Sequence, residues 1–172
     1  MRRAGLPRVV GVDGTDDRIL AELARNGRVS FAELARTVGL SSSALTDRVS
    51  KLESAGVITG YAATVDPHRV GLGVAALVGI EPTDTGDDEA IAADLTTHAE
   101  VESLWTVAGQ EAFVLLVRVA TVDDLQHLLV RLRRVDGVAR TRTTVILSSH
   151  FEHRPRGGAP AAAAEPGSAA RG

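Results

Sequence analysis

Two hydrophobic periods divide the chain. Between residues 13 and 58 the apolar positions recur three and four apart, whereas from residue 74 they fall into short, partly alternating runs separated by two further stretches of helical spacing. The first pattern predicts amphipathic helices; the second predicts strands interleaved with helices.

In the first segment, Ile19, Leu20, Leu23 and Ala24 make one stripe. Its helix is expected to start at Thr15 as N-cap, with Asp16 and Asp17 at the positive end of the helix dipole, and to stop at Asn26-Gly27. Ser30 and Glu33 form an S-x-x-E capping box for a second helix, with Val29 and Leu34 spaced as a hydrophobic staple, and Gly39 ends it. Only Gly39, Leu40 and Ser41 precede a third helix, expected over residues 42–55, capped by Ser41 and closed by Gly56 with Val57 against Leu52. Leu45, Val49 and Leu52 form its core arc. Ser43, Asp47, Ser50 and Ser54 form the opposite face, flanked by Thr46 and Lys51, and Arg48 lies beside the core arc, where its stem packs while its guanidinium reaches out. Two capped helices joined by a short glycine turn, the second with a small polar face, fit a DNA-binding helix-turn-helix; an αα corner in a structural bundle has the same local pattern.

The segment ITGYAATV reads as a linking strand ahead of Asp66-Pro67. VAALVGI, VESLWTV, FVLLVRV and TRTTVIL read as four strands, with helices around residues 87–98 and 121–135. Thr121 with Asp124 marks a helix start, Leu125, Leu128, Leu129 and Leu132 form a stripe, and Asp136-Gly137 ends it. The order strand, helix, strand, strand, helix, strand is that of a ferredoxin-like βαββαβ sandwich. The class is therefore α+β, with a helix-turn-helix domain over 10–60, a linking strand or hinge over 61–71, a ferredoxin-like domain over 72–152 and a disordered Pro/Gly/Ala tail over 153–172. One sheet face packs on the helices; the other, with Trp105 near it, needs cover, which a second copy of the chain would supply.

Charge sharpens the division. Residues 1–60 carry nine Arg/Lys against seven Asp/Glu, 61–152 carry seven against fourteen, and 153–172 carry three against one, so a mildly basic module precedes an acidic one. With no cysteine, disulfides, a thiolate nucleophile and cysteine-rich zinc sites are excluded. No run of about 18 apolar residues suits a membrane span, and MRRAGLPRVVGVDG lacks the apolar core of a secretory signal, so the reading is cytoplasmic. His150 and His153 lack a further ligand at metal spacing, and no P-loop, nucleophile elbow or dinucleotide fingerprint occurs, so neither cofactor, metal nor enzymatic activity is expected.

Residues 13–71 carry D-x-x-I-L at the first helix, G-R at Gly27-Arg28, L-A-x-x-V-G-L-S through the turn, R-V-x-x-L-E-x-x-G-V-I at the third helix, then G-Y and D-P. In these marks the chain resembles the Lrp/AsnC, or feast/famine, family of bacterial transcriptional regulators. The resemblance implies a winged-type helix-turn-helix followed by an ACT-related ligand-binding (RAM) domain that dimerises sheet to sheet and often assembles further. It implies double-stranded DNA as partner and a role on DNA for Ser41, Ser42, Ser43, Thr46 and Arg48; the helical wheel independently exposes Ser43, Thr46 and Lys51. Asp47 departs from a basic face, and with few long donors DNA shape is expected to carry part of the specificity.

The resemblance also implies an effector, an amino acid or another metabolite, near the loop Ala108–Phe113, where the family pattern is glycine, two variable residues, aspartate and an aromatic. Gly109 and Phe113 match, but Ala112 stands where the aspartate is expected. Neighbouring residues of a strand or hairpin point to opposite faces, so Glu111 replaces that carboxylate only in a bulged turn. The expectation is weak response to common amino acids, with Gly109, Gln110 and Thr143 as further pocket candidates. The alternatives are an effector-independent DNA-organising protein and a metabolite-binding ferredoxin-like module without a specific DNA target.

Overall fold

The computed structural model describes residues 11–150 and residue 152, which divide into two compact units, the chain passing from the first to the second between Ala63 and Thr64. The expected tail, His153 among it, lies outside the described residues.

The first unit holds α1 (Gly14–Arg25), α2 (Phe31–Val38) and α3 (Ser42–Ser54). The N-cap of α1 is Asp13 rather than Thr15: its carboxylate accepts from the Thr15 and Asp16 amides, and Asp16 returns a bond to the Asp13 amide. An aspartate three residues before another makes a reciprocal box in which both partners are charged at the positive end of the helix, an advantage the Thr15 hydroxyl lacks. Ser30 caps α2 by accepting from the Glu33 amide at 3.2 Å. Gly39 sits in the left-handed region at φ 75°, which a side chain would strain, and this turns the chain directly into the Ser41 cap of α3. At the far end the Val57 amide donates to the Leu52 carbonyl at 2.9 Å beside left-handed Gly56, the Schellman ending expected. Ile19, Leu23, Leu34, Ala35, Val38, Leu45, Val49 and Leu52 form one core, with Val29 and Leu40 at its rim as staples. Each large side chain buried there contributes about 1.5–3 kcal/mol relative to exposure.

The expected linking strand does not form. Residues 59–66 have no regular secondary structure, and a 3₁₀ turn, His68–Val70, leads into the second unit. The β-rich composition of ITGYAATV finds no ladder partner among the described residues, and strand propensity without a partner strand does not fix a strand.

The second unit runs β1 (Val74–Pro82), α4 (Asp88–Leu95), β2 (Val101–Thr106), β3 (Phe113–Val119), α5 (Val122–Leu132) and β4 (Val138–Ile146). The antiparallel sheet has the order β2-β3-β1-β4, as a ferredoxin-like sandwich requires. Thr121 and Asp124 form the expected reciprocal box at the start of α5. Ala76, Val78, Ile80, Phe113, Leu115 and Val117 pack against Ile91, Leu95, Leu125, Leu128 and Leu132 of the two helices. Alternation then places Ala75, Leu77, Gly79 and Glu81 on the other face. Two rows cross that open face: Trp105, Val114, Gly79 and Arg142, then Ser103, Leu116, Leu77 and Thr144. Trp105 is 48% exposed and Leu77 39%, so the apolar centre of the face stands in solvent.

Candidate nucleic-acid interface and ligand cavity

The outer surface of α3 is built from short side chains. Ser41, Ser42, Ser43, Thr46, Asp47, Ser50 and Lys51 are exposed, while Leu45, Val49 and Leu52 anchor the opposite side. The Ser41 hydroxyl accepts from the Ala44 amide at 3.3 Å and lies 3.2 Å from that of Ser43. Thr46 donates its hydroxyl proton to the Ser42 carbonyl at 2.9 Å, so it offers an outside partner an acceptor oxygen and a methyl group. That combination suits an exocyclic base amine or a thymine methyl in a major groove.

Arg48 does not reach out. Its Nη1 donates to Asp13 Oδ2 and to Asp16 Oδ1, each at 2.8 Å, so the guanidinium is folded back onto the start of α1. The hydrogen bond to Asp16, then that to Asp13, raises the Arg48 pKa above its ordinary value. The Asp16 amide, then Arg48, holds the Asp13 carboxyl below its ordinary value. A groove of about 470 Å³ opens between these groups and α3, with Asp47 and Lys51 on its wall. The sequence reading placed Asp16 in a first turn but missed its cross-helix role; the three-residue spacing of Asp13 and Asp16 was the available signal. It also passed over Tyr61, whose hydroxyl donates to Glu53 at 2.9 Å and whose ring lies against Gly27. Burial, then the Glu53 bond, pushes the Tyr61 phenol up.

In the second unit a cavity of about 190 Å³ is lined by Gly79, Glu81, Gln110, Glu111 and the β4 residues Arg140, Thr141 and Arg142. Glu111 Oε1 lies 3.2 Å from Arg142 Nε, and Gln110 Oε1 accepts from Arg142 Nη2 at 3.5 Å. The Glu111 side chain passes over Gly79 so closely that a Cβ there would meet its Cγ at 2.7 Å.

Of the five candidate effector positions, the structure brings Gln110 and Glu111 into this cavity and leaves Gly109, Ala112 and Thr143 out of its lining. Ala112 packs against the core under the helices, its amide donating to the Ile80 carbonyl at 2.9 Å. Thr143 stands opposite Val78, a residue of that core. The two faces do alternate as expected, but the cavity lies on the Glu111 side, so the missing aspartate at 112 removes no carboxylate from it. Arg140 and Arg142 were legible as a period-two pair on one strand face. The cavity thus offers cationic groups for an anion and a carboxylate for a cation within one small space.

Comparison with known proteins matches residues 12–59 to the model described as winged helix-turn-helix DNA-binding and residues 75–156 to the Lrp/AsnC ligand binding domain. The chain is 44% identical to the HTH-type transcriptional regulator LrpA of Mycobacterium tuberculosis over 143 residues, 83% of this chain and 95% of that protein. It is 31% identical to the regulatory protein AsnC of Escherichia coli over 139 residues, 80% of this chain and 91% of the other. Among solved structures, a feast or famine regulatory protein of M. tuberculosis complexed with L-methionine superposes with a TM-score of 0.81 at 43% identity, covering 85% of this chain and 99% of that one.

Proposed function

Because the chain belongs to the Lrp/AsnC family of DNA-binding transcriptional regulators, we propose that it reads one set of operators through α3, as a symmetric assembly of its second unit, under control of a small zwitterion. Ser42, Ser43 and Thr46 are the groups that meet base edges, Ser41 fixes the end of the helix that enters the groove, and Lys51 takes a phosphate. The observation that carries this reading is the Ser41-capped α3 directly after left-handed Gly39, its outer face made of exposed hydroxyls over a fully apolar inner arc. Short hydroxyls let the helix approach closely but give few long-range donors, so groove shape supplies the remainder of the specificity.

Two copies joined across the open sheet face, Leu77 against its partner's face and Trp105 beside it, present two α3 helices to a near-palindromic site. The M. tuberculosis relative holds L-methionine. In this chain the same class of ligand fits the cavity at Gly79, its carboxylate on Arg142 or Arg140 and its ammonium on Glu111. In this reading Glu111 supplies the carboxylate that meets the ammonium, so alanine at 112 does not by itself imply a weak response to amino acids. The role is regulatory and cytoplasmic, without catalysis.

Selection of bound fragments from fragmented genomic DNA tests this reading. A recovered set sharing two half-sites on one face of the duplex supports it. Recovery without a shared motif, with binding that falls steeply with salt, assigns the chain instead to DNA organisation.

A further inference from the structure

Arg48 is the residue of α3 with the longest reach, yet its guanidinium is committed inside the first unit. The carboxylates that hold it form a closed set. Asp13 Oδ1 accepts from the Thr15 and Asp16 amides at 2.8 and 2.9 Å, Asp16 Oδ2 accepts from the Asp13 amide at 3.0 Å, and the remaining oxygen of each takes Arg48. All four carboxylate oxygens are engaged, and the Asp16 side chain is 8% exposed. Drawing Arg48 away to a phosphate would strand that buried carboxylate, a greater cost than one exposed phosphate contact returns.

We propose that Arg48 is a positioning residue for DNA recognition: with Asp13 and Asp16 it forms a latch that fixes the rotation of α3 about its own axis, and it contacts no DNA itself. Thr46 and Ser50 lie two residues either side of Arg48, about 200° around the helix. Tethering Arg48 to α1 therefore points these two hydroxyls outward at a set angle. Phosphate contacts tolerate a small rotation of the helix, whereas hydrogen bonds to base edges do not. The latch accordingly acts on discrimination more than on general affinity.

This rests on the DNA-binding reading, and the wild-type isotherm reports on that reading separately from the variant-to-wild-type ratios. The probes are a duplex recovered by the fragment selection above and a random-sequence duplex of equal length, each titrated at several salt concentrations. Arg48→Ala and Asp16→Asn are each expected to weaken the selected duplex by about tenfold, as befits members of one network, with the double variant no worse than the weaker single. Binding to the random duplex should stay within about twofold, with an unchanged salt slope. Loss of DNA-binding structure would lower affinity for both duplexes and is thereby told apart. A salt slope reduced by about one in Arg48→Ala would make Arg48 a phosphate contact and overturn the latch. Tighter or unchanged binding by Asp16→Asn would overturn it too, and decides alone if Arg48→Ala loses its helical circular dichroism.

Discussion

Each unit contains an arginine facing a carboxylate, and the two pairs differ in how fully their members are satisfied. In the helical unit, two aspartates share one nitrogen of Arg48, every carboxylate oxygen has a donor, and Asp16 is buried. On the sheet, one oxygen of Glu111 meets Arg142 at 3.2 Å, and the Arg142 side chain is 69% exposed beside a cavity. The first is a finished joint: a groove opens beside it, but its own charges are already paired with one another. The second is held only loosely and can exchange partners with a molecule carrying both charges. Sign and residue type do not separate the two cases; completeness of hydrogen bonding and access to solvent do.

The largest expected effect isolates the sheet from either pair. Leu77→Asp places a charge at the centre of the open apolar face and should weaken self-association at least about 100-fold, read by sedimentation velocity, while leaving the pairs intact. Asp16→Ala should lower the stability of the helical unit by about 2 kcal/mol in urea, since Arg48 keeps only one carboxylate and the capping box opens. Glu111→Ala tests the contrast directly: its melting temperature should stay near wild type, because an ion pair whose arginine is mostly exposed contributes about 0–1 kcal/mol, while L-methionine affinity by calorimetry falls about tenfold or more. Equal stability losses in Asp16→Ala and Glu111→Ala would erase the distinction. Gly79→Ala should weaken the same ligand with Glu111 still present, because the new Cβ displaces the Glu111 stem.

The smallest effect is that of acid. Asp13 titrates below its ordinary value of 3.8 in the folded state. In Glu100, burial is the largest influence and pushes the carboxyl up, but the bond to Arg131, a backbone hydrogen bond and the charges of Arg131 and His98 together outweigh it and leave the group below the ordinary 4.5. Both contributions are therefore complete above those ordinary values and are lost as pH falls through the lower, folded ones. Urea midpoints should be flat on this account near neutral pH and decline only below about pH 4.5. Asp13→Asn should flatten the part of the decline that belongs to the helical unit.

Much of this arrangement was legible in the order of residues, where the determining interactions are local. Ser30, Gly39, Ser41 and Gly56 set the bounds of α2 and α3, although at α2 only the Ser30 half of the expected box forms, and the Thr121–Asp124 box sets the start of α5, because caps and left-handed turns act within about four residues. Period two and period three-to-four gave the sheet order its elements. The cap of α1 falls at Asp13 rather than at the expected Thr15 because the Asp13 carboxylate, unlike a lone hydroxyl, is matched by a reciprocal bond from Asp16. The direction of Arg48 was beyond such reasoning, since its partners lie 35 and 32 residues away and only the packing of α3 on α1 brings them together. Gly79 likewise reads as an ordinary weak point of a strand until the path of Glu111 over it is known.

The chain has a single tyrosine and a single tryptophan, and they fall in different units. Tyr61 is hydrogen-bonded to Glu53 beside α3, and Trp105 stands in solvent on the open sheet face. The molecule therefore carries two native fluorophores with separate addresses. Phenol emission, quenched through the Glu53 carboxylate, follows the integrity of the helical unit, while the indole moves to shorter wavelength when a second sheet covers it, so loosening of one unit and pairing of the other are optically separable without any label.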